Sequence, residues 1–340
     1  MKVFVYEHIT SGALINEPLP TGLAREGNEM LTAIVHDMAQ LDDIYLTILR
    51  DSRLKPLINI IANPHHLSLI IDSDLIFQQH FASAINNADA VMVIAPETDG
   101  LLQNLQQSVL NNGKQLLGCH PEATQICTDK VLCYQQLIAN NVSTVLTISA
   151  NEWGLNSFHS ASGFVVKPYD GAGCIDTLFF AEHLALESWL ATTSLIHQQL
   201  IIQPYIESKS LSLTILTDGN HSHILAINQQ YIRLDNGQFS FHGCCVNGIN
   251  DMQFSMTKAI DITQKIDQAI AGLWGFIGVD LLVTDNEAYV IDINSRLTTA
   301  YVGLAESLNL NPAQLLLTMM KHGLSALPLN IQCKPIEILL

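Results

Sequence analysis

The run Gly278-Val279-Asp280-Leu281-Leu282-Val283, the turn-rich Asp285-Asn286-Glu287 and the run Ala288-Tyr289-Val290-Ile291-Asp292-Ile293-Asn294 have the pattern of an antiparallel hairpin with a slightly long loop. Asp280 lies near the start of the first strand and Asp292 near the end of the second, so pairing sets them side by side. Asn294 repeats onto the same face two residues on. Two carboxylates and an amide oxygen make a hard-oxygen set for Mg²⁺, which takes few protein ligands and completes its shell with water and phosphate oxygens. Arg296 falls on that face again and would bring positive charge to a phosphoryl group in transfer. The competing interpretation is a surface hairpin with solvated acids, which the apolar flanks disfavour because unpaired acids are costly to bury.

A second run, Lys167-Pro168-Tyr169-Asp170-Gly171-Ala172-Gly173, follows the apolar Phe164-Val165-Val166. Gly171 and Gly173 allow backbone amides to approach a phosphate without a Cβ in the way, and Lys167 adds a point charge. Gly-rich turns after strands are also ordinary structural features. The run lacks the GKS/T ending of a Walker loop and the GxGxxG of a dinucleotide fold, so both are disfavoured. Lys130, in Thr128-Asp129-Lys130, sits at a helix start where its charge opposes the macrodipole. A nucleotide phosphate would serve as its partner; a solvated surface lysine is the alternative.

The elements that must position these groups follow from periodicity. Strands are expected at 2–6, 44–49, 90–95 and 115–118, alternating with helices at 26–40 (Met30, Leu31, Ile34 and Met38 on one face), 74–87 and 100–112. That alternation argues for a mostly parallel sheet covered on both faces. After the break at His120-Pro121-Glu122, Thr128 is expected to cap a helix over 129–139. Strands are then expected at 143–148 and 163–168, and a helix at 182–197. Beyond residue 200 the chain turns β-rich, with strands at 200–204, 211–217, 223–233, 278–284 and 288–293 and helices at 258–273, 298–308 and 312–322.

Composition bounds the function. Lys and Arg number 15 against 32 Asp and Glu, a formal charge of −17. So acidic a chain repels a phosphate backbone overall, which argues against a nucleic-acid partner. Nearly half of the 340 residues are hydrophobic, enough for a sizeable core in two lobes, or in one lobe plus a compact two-part body. Cys119, Cys127, Cys133, Cys174, Cys244, Cys245 and Cys333 form no CxxC pair and are expected as reduced thiols. No membrane-spanning run or secretory leader is evident, so a cytoplasmic protein with no membrane partner is expected.

The order of these pieces resembles the ATP-grasp superfamily: a lysine at a "DK" helix start, a "KP…G.G" strand and loop, a "Q/E-x-Y/F-I-E" hinge, an acid on one strand and "E/D-I-N-x-R" on the next. Here they are Lys130, Lys167 with Gly171 and Gly173, Gln203-Pro204-Tyr205-Ile206-Glu207, Asp280, and Asp292-Ile293-Asn294-Ser295-Arg296. The resemblance implies an ATP-grasp fold of α/β class behind an N-terminal parallel α/β domain. It implies boundaries at 1–120 (N-terminal domain), 121–202 (small lobe) and 203–340 (large lobe with the metal site). It further implies ATP and Mg²⁺ or Mn²⁺ as cofactors. Lys130 and Lys167 would hold ATP phosphates under the Gly171–Gly173 loop, and Gln203, Tyr205, Ile206 and Glu207 would form the adenine hinge. Asp280, Asp292 and Asn294 would bind the metal, and Arg296 would stabilise the phosphoryl group. Ser210 stands where a ribose-binding glutamate is common, so Glu207 is a candidate for that task.

Ala226-Ile227-Asn228-Gln229-Gln230-Tyr231-Ile232, the stretch from Asn294 to Leu304, Tyr6-Glu7 and Arg25-Glu26-Gly27 resemble the tyramine–L-glutamate ligases of methanofuran-type cofactor assembly. That group joins a carboxylate to an amine through an acyl-phosphate, with small-molecule partners; a homodimer is an expectation carried by the family alone. Arg25, Arg233 and Arg296 are the candidate cations for a second substrate carboxylate. Asn228 is a candidate substrate ligand and Tyr301 a stacking partner for an aromatic amine, with cross-strand amide bonds and a core tyrosine as the alternatives. Another ATP-grasp amino-acid or peptide ligase, and a non-catalytic nucleotide-binding regulatory module, are the other functions compatible with these residues.

Overall fold

The computed structural model describes residues 1–57, 65–193, 199–250, 252–328 and 332–340. The chain opens as β1 (Lys2–Glu7), α1 (Thr21–Ala39), β2 (Tyr45–Asp51), β3 (Leu67–Ile71), α2 (Asp74–Asn87), β4 (Ala90–Ile94), α3 (Leu101–Asn111) and β5 (Gln115–Leu116). The five strands form an all-parallel sheet in the order β3-β2-β1-β4-β5. The alternation of β1 explains its two coats. Val3 and Val5 pack with Met30, Leu31, Ile34 and Met38 of α1, while Phe4 and Tyr6 pack with Phe77, Ile85, Leu102 and Val109 of α2 and α3. The short edge strand β3, Leu67-Ser68-Leu69-Ile70-Ile71, is not among the strands expected from the sequence.

Next come α4 (Pro121–Thr128) and α5 (Lys130–Ala139), broken at Asp129. Asp129, not Thr128, caps α5: its Oδ1 accepts from Val131 N at 2.9 Å and Leu132 N at 3.1 Å. Then follow β6 (Ile148–Ser149), α6 (Trp153–Asn156), β7 (Phe164–Pro168), β8 (Leu178–Phe180), α7 (His183–Thr192) and β9 (Leu200–Pro204). The strand expected over 143–148 is reduced to a bridge at Thr144 and the two residues of β6. The helix expected over 182–197 is described to Thr192, and residues 194–198 lie outside the described residues.

The remainder is β10 (Lys209–Thr217), β11 (Ser222–Asp235), β12 (Gln238–Val246), α8 (Met256–Ala269), β13 (Gly275–Val283), β14 (Ala288–Asn294), a 3₁₀ turn at Thr299–Gly303, α9 (Leu304–Leu308), α10 (Pro312–His322) and β15 (Ile336–Leu339). A single antiparallel sheet runs β14-β13-β10-β11-β12-β8-β7-β9-β6, with β15 on β12. Its two parts meet where Gln238 of β12 pairs with Leu178 of β8. No described helix is long and apolar enough to cross a membrane.

The parallel and antiparallel sheets share a core. α1 packs on β1 with one flank and on the Thr299–Gly303 turn and α10 with the other, and the buried Tyr301 hydroxyl donates to Asp37 Oδ2 of α1 at 2.8 Å. Tyr301→Phe removes only that hydroxyl and takes one donor from a buried carboxylate that His36 also approaches. It is expected to destabilise the protein by about 1–3 kcal/mol, read from urea denaturation midpoints.

Candidate active site

The hairpin β13–β14 forms as its alternation requires. Asp280 pairs with Asp292 and Gly278 with Asn294, and a bulge after Asp280 sends both Ile291 and Asp292 to the same cavity wall. Asp280 Oδ1 accepts from Gln230 Nε2 at 2.9 Å and Oδ2 from Asn294 Nδ2 at 3.2 Å. Burial, and then the facing Asp292, push the Asp280 carboxyl up to about 7. An acid so displaced marks a place with surplus negative charge. The donor set of two carboxylates and an amide suits a divalent cation that shares its shell with phosphate and water. Among the described residues no cluster of three or more His, Cys, Asp or Glu side chains is placed to hold a metal unaided.

Two lysines line the same cavity of about 320 Å³ as this pair. Lys130 is buried; its Nζ lies 3.0 Å from Asp292 Oδ2 and donates to Gly171 O at 2.8 Å. Burial works against its charge, yet Asp292 holds its pKa above the ordinary value. Lys167, at the end of β7, makes no ion pair among the described residues. Burial, and then Lys130, lower it to about 8. A buried ammonium on a cavity wall without a counter-ion is a receptor for an anion. The Gly171–Gly173 loop lines the same wall, and Gly173 takes φ +64, a conformation that costs glycine nothing.

The end of β9 and the segment after it contribute Gln203, Tyr205 and Ile206 to the cavity, and Ser208 and Ser210 line it beyond. Glu207 does not: it is exposed and outside the lining. The ribose role suggested for Glu207 is therefore not supported by its position.

Arg296 lies on the cavity wall, but its charge already has a partner. Nε and Nη2 donate to the two oxygens of Glu97 at 2.7 and 3.0 Å, and Nη1 donates to Leu297 O at 3.2 Å. Among the described residues one N–H on each terminal nitrogen is left for a ligand. Glu97 comes from the segment after β4, so the parallel sheet reaches into this site. The same segment holds the loop after Lys167, since Asp99 N donates to the buried Asp170 Oδ2 at 2.9 Å. The available signal for Glu97 was an acid just past the C-terminal end of a buried parallel strand, where α/β sheets bind ligands.

Four expected substrate residues are corrected. Asn228 is buried and spent internally, donating to Ser212 Oγ and Thr214 Oγ1 and accepting from Asn247 N. Gln230, two residues along the strand, is the one that reaches the cavity. Arg233 points away, on the opposite strand face to Gln230, Ile232 and Leu234. Arg25 is exposed, bonded to Glu29 and Leu339 O, while its neighbour Glu26 lines the cavity and accepts from Thr299 Oγ1. Tyr301 is 1% exposed, edge-on to Phe276, and belongs to the core.

An antiparallel sheet ending in paired acids, faced by lysines from a strand end and a helix start, is ATP-grasp architecture. The chain belongs to the ATP-grasp family: the profile of the ATP-grasp domain matches residues 127–300, and that of the pre ATP-grasp 3 domain matches residues 44–124. It is an ATP-using, ADP-forming ligase of carbon–nitrogen bonds. Among particular proteins it is similar to tyramine–L-glutamate ligase of Methanocaldococcus fervens, 27% identical over 286 residues that cover 83% of this chain and 84% of that one. The enzyme of the same description from Methanocaldococcus jannaschii is 29% identical over 218 residues, 64% of this chain and 59% of its own. An ATP-grasp superfamily protein from Archaeoglobus fulgidus shares the fold, with TM-score 0.70 at 24% identity over 93% of this chain and 88% of that one.

Two outcomes follow from the geometry. Lys167 is charged below about pH 8 and neutral above it, so nucleotide affinity is expected to fall from near pH 8 upward, by roughly several-fold by pH 9.5. Calorimetric titration across that range checks it, with Lys167→Arg flattening the profile. Glu97→Gln and Glu97→Ala are expected to lower kcat by roughly tenfold and 100-fold, with little change in ATP affinity, because they release Arg296 rather than a nucleotide ligand.

Proposed function

We propose that this protein joins the carboxylate of L-glutamate to an amine of the tyramine or tyrosine kind, as a step of methanofuran- or methylofuran-type cofactor assembly. The observation that carries the ligase chemistry is the convergence on one cavity of Asp280, Asp292 and Asn294 with Lys130 and Lys167. Support for the substrate class comes from the two tyramine–L-glutamate ligases, one matched along more than four-fifths of both chains.

In this mechanism Lys130 and Lys167 hold the nucleotide phosphates and the Gly171–Gly173 loop covers them. Asp280, Asp292 and Asn294 hold Mg²⁺ or Mn²⁺, which when bound neutralises the phosphate oxygens and orients the γ-phosphate. Arg296, oriented by Glu97, turns its remaining N–H groups to the phosphoryl group as it passes to the substrate carboxylate. ADP leaves in that transfer. The amine, having lost its ammonium proton, then attacks the acyl carbon of the acyl-phosphate. Phosphate leaves, and the second N–H proton passes to phosphate or solvent as the amide forms. Glu26, an acid at the end of the cavity near Arg296 and Thr299, suits a cationic amine. The chain supplies position and charge rather than a nucleophile. Boundaries at 1–120, 121–202 and 203–340 are proposed with it; the parallel sheet ending at Leu116 supports the first, while β9, paired with β7 as far as Pro204, carries the small lobe two residues past the second.

The test is ADP release by purified protein with ATP, Mg²⁺ and L-glutamate, adding tyramine or tyrosine in turn, with product mass. A glutamyl amide formed in an amine-dependent way and abolished by Asp292→Ala is the expected result. ADP release only with other amino acids would transfer the assignment to an amino-acid ligase. Silence with every pair would leave a nucleotide-binding module.

A further inference from the structure

We propose that Thr147 is a specificity-determining residue: it fixes which end of the Gln203 amide faces the cavity, and so makes the site select a base with an amino group at its edge over one with a carbonyl. This rests on the proposed use of residues 203–206 as the base subsite.

The hydrogen bonds leave one arrangement. Thr147, 4% exposed and directly before β6, donates its hydroxyl to Val145 O at 2.9 Å. A hydroxyl has a single proton, so Thr147 Oγ1 can only accept from Gln203. Gln203 Nε2 lies 2.8 Å away and donates to it. The amide's NH₂ end is thereby committed to the wall, and its carbonyl oxygen is the end left for the cavity that Gln203 lines. Neither partner can shift cheaply. Gln203 is 3% exposed and pairs with Val165 on β7, and β6 is pinned to β9 through Ile148 and Ile202.

The surroundings make that single acceptor decisive. Val145, Val165, Pro204, Ile206 and Leu282 give the neighbouring lining an apolar character. In such a slot an acceptor rewards a donor and penalises another acceptor, because a buried polar group without a partner costs the full desolvation. Adenine presents its N6 amino group at the edge where guanine presents O6. An unanchored glutamine amide would turn and serve either base; one held by Thr147 serves adenine.

The experiment is calorimetric titration of ATP and of GTP into the full chain with Mg²⁺, for the wild type, Thr147→Val, Thr147→Ser and Gln203→Leu, each checked for a cooperative melt. Thr147→Ala replaces the valine variant should that one not fold. The expected result is a preference for ATP that narrows by about tenfold in Thr147→Val, through weaker ATP and tighter GTP, and returns in Thr147→Ser. A preference in Thr147→Val within about twofold of the wild type, with Gln203→Leu still weakening ATP, would overturn the role of Thr147 alone. ATP affinity untouched by Gln203→Leu would overturn the base subsite and this inference with it. Equal loss in the serine and valine variants would also overturn it, since serine keeps the hydroxyl.

Discussion

The repulsion between Asp280 and Asp292 is the constraint around which the cavity is organised. Cross-strand pairing in β13–β14 holds the two carboxylates together whether or not their charges favour it. The neighbouring residues offset that cost unequally. Gln230 and Asn294 donate to Asp280, Lys130 pairs with Asp292, and Lys167 makes no ion pair among the described residues. The outcome is an acid held up and a lysine held down, each displaced toward its neutral form. Both displacements would be relieved by a cation beside Asp280 and an anion beside Lys167, as the proposed metal and nucleotide would supply.

A second consequence concerns the parallel sheet, which is more than a neighbour of the nucleotide cavity. The segment after β4 places Glu97 on Arg296 and the Asp99 amide on Asp170, so one short loop touches both the arginine and the loop that follows Lys167. Farther out, α1 carries Glu26 to the cavity and Asp37 to Tyr301. These contacts are polar and specific, over a shared apolar core, and such a combination fixes orientation as well as association. Arginine geometry at the centre of the molecule is therefore decided by a residue almost two hundred positions earlier in the chain.

The metal-type hairpin, both lysines, the glycine loop and the hinge were legible because each depends on local rules: alternation along a strand, a glycine where the backbone must turn, a cap at a helix start. The parallel sheet was legible for the same reason, except for β3, whose short apolar run Leu67-Ser68-Leu69-Ile70-Ile71 is too brief for periodicity to separate strand from helix. The substrate residues were not. Asn228 and Gln230 share a strand face by alternation, and nothing local says that one is consumed by Ser212 and Thr214 while the other reaches Asp280. Arg25 and Arg233 were reasonable as scarce cations, but scarcity does not orient a side chain.

Residue types and spacing thus determined by themselves the class of chemistry and the strand register that brings Asp280 to Asp292, because both are set within a few residues. Tertiary structure alone decided that Glu97 grips Arg296, that Tyr301 is core, and that Thr147 turns Gln203. Each of these depends on where a distant segment of chain delivers a donor or acceptor, and hydrogen bonds made over such separations leave no periodic trace in a sequence.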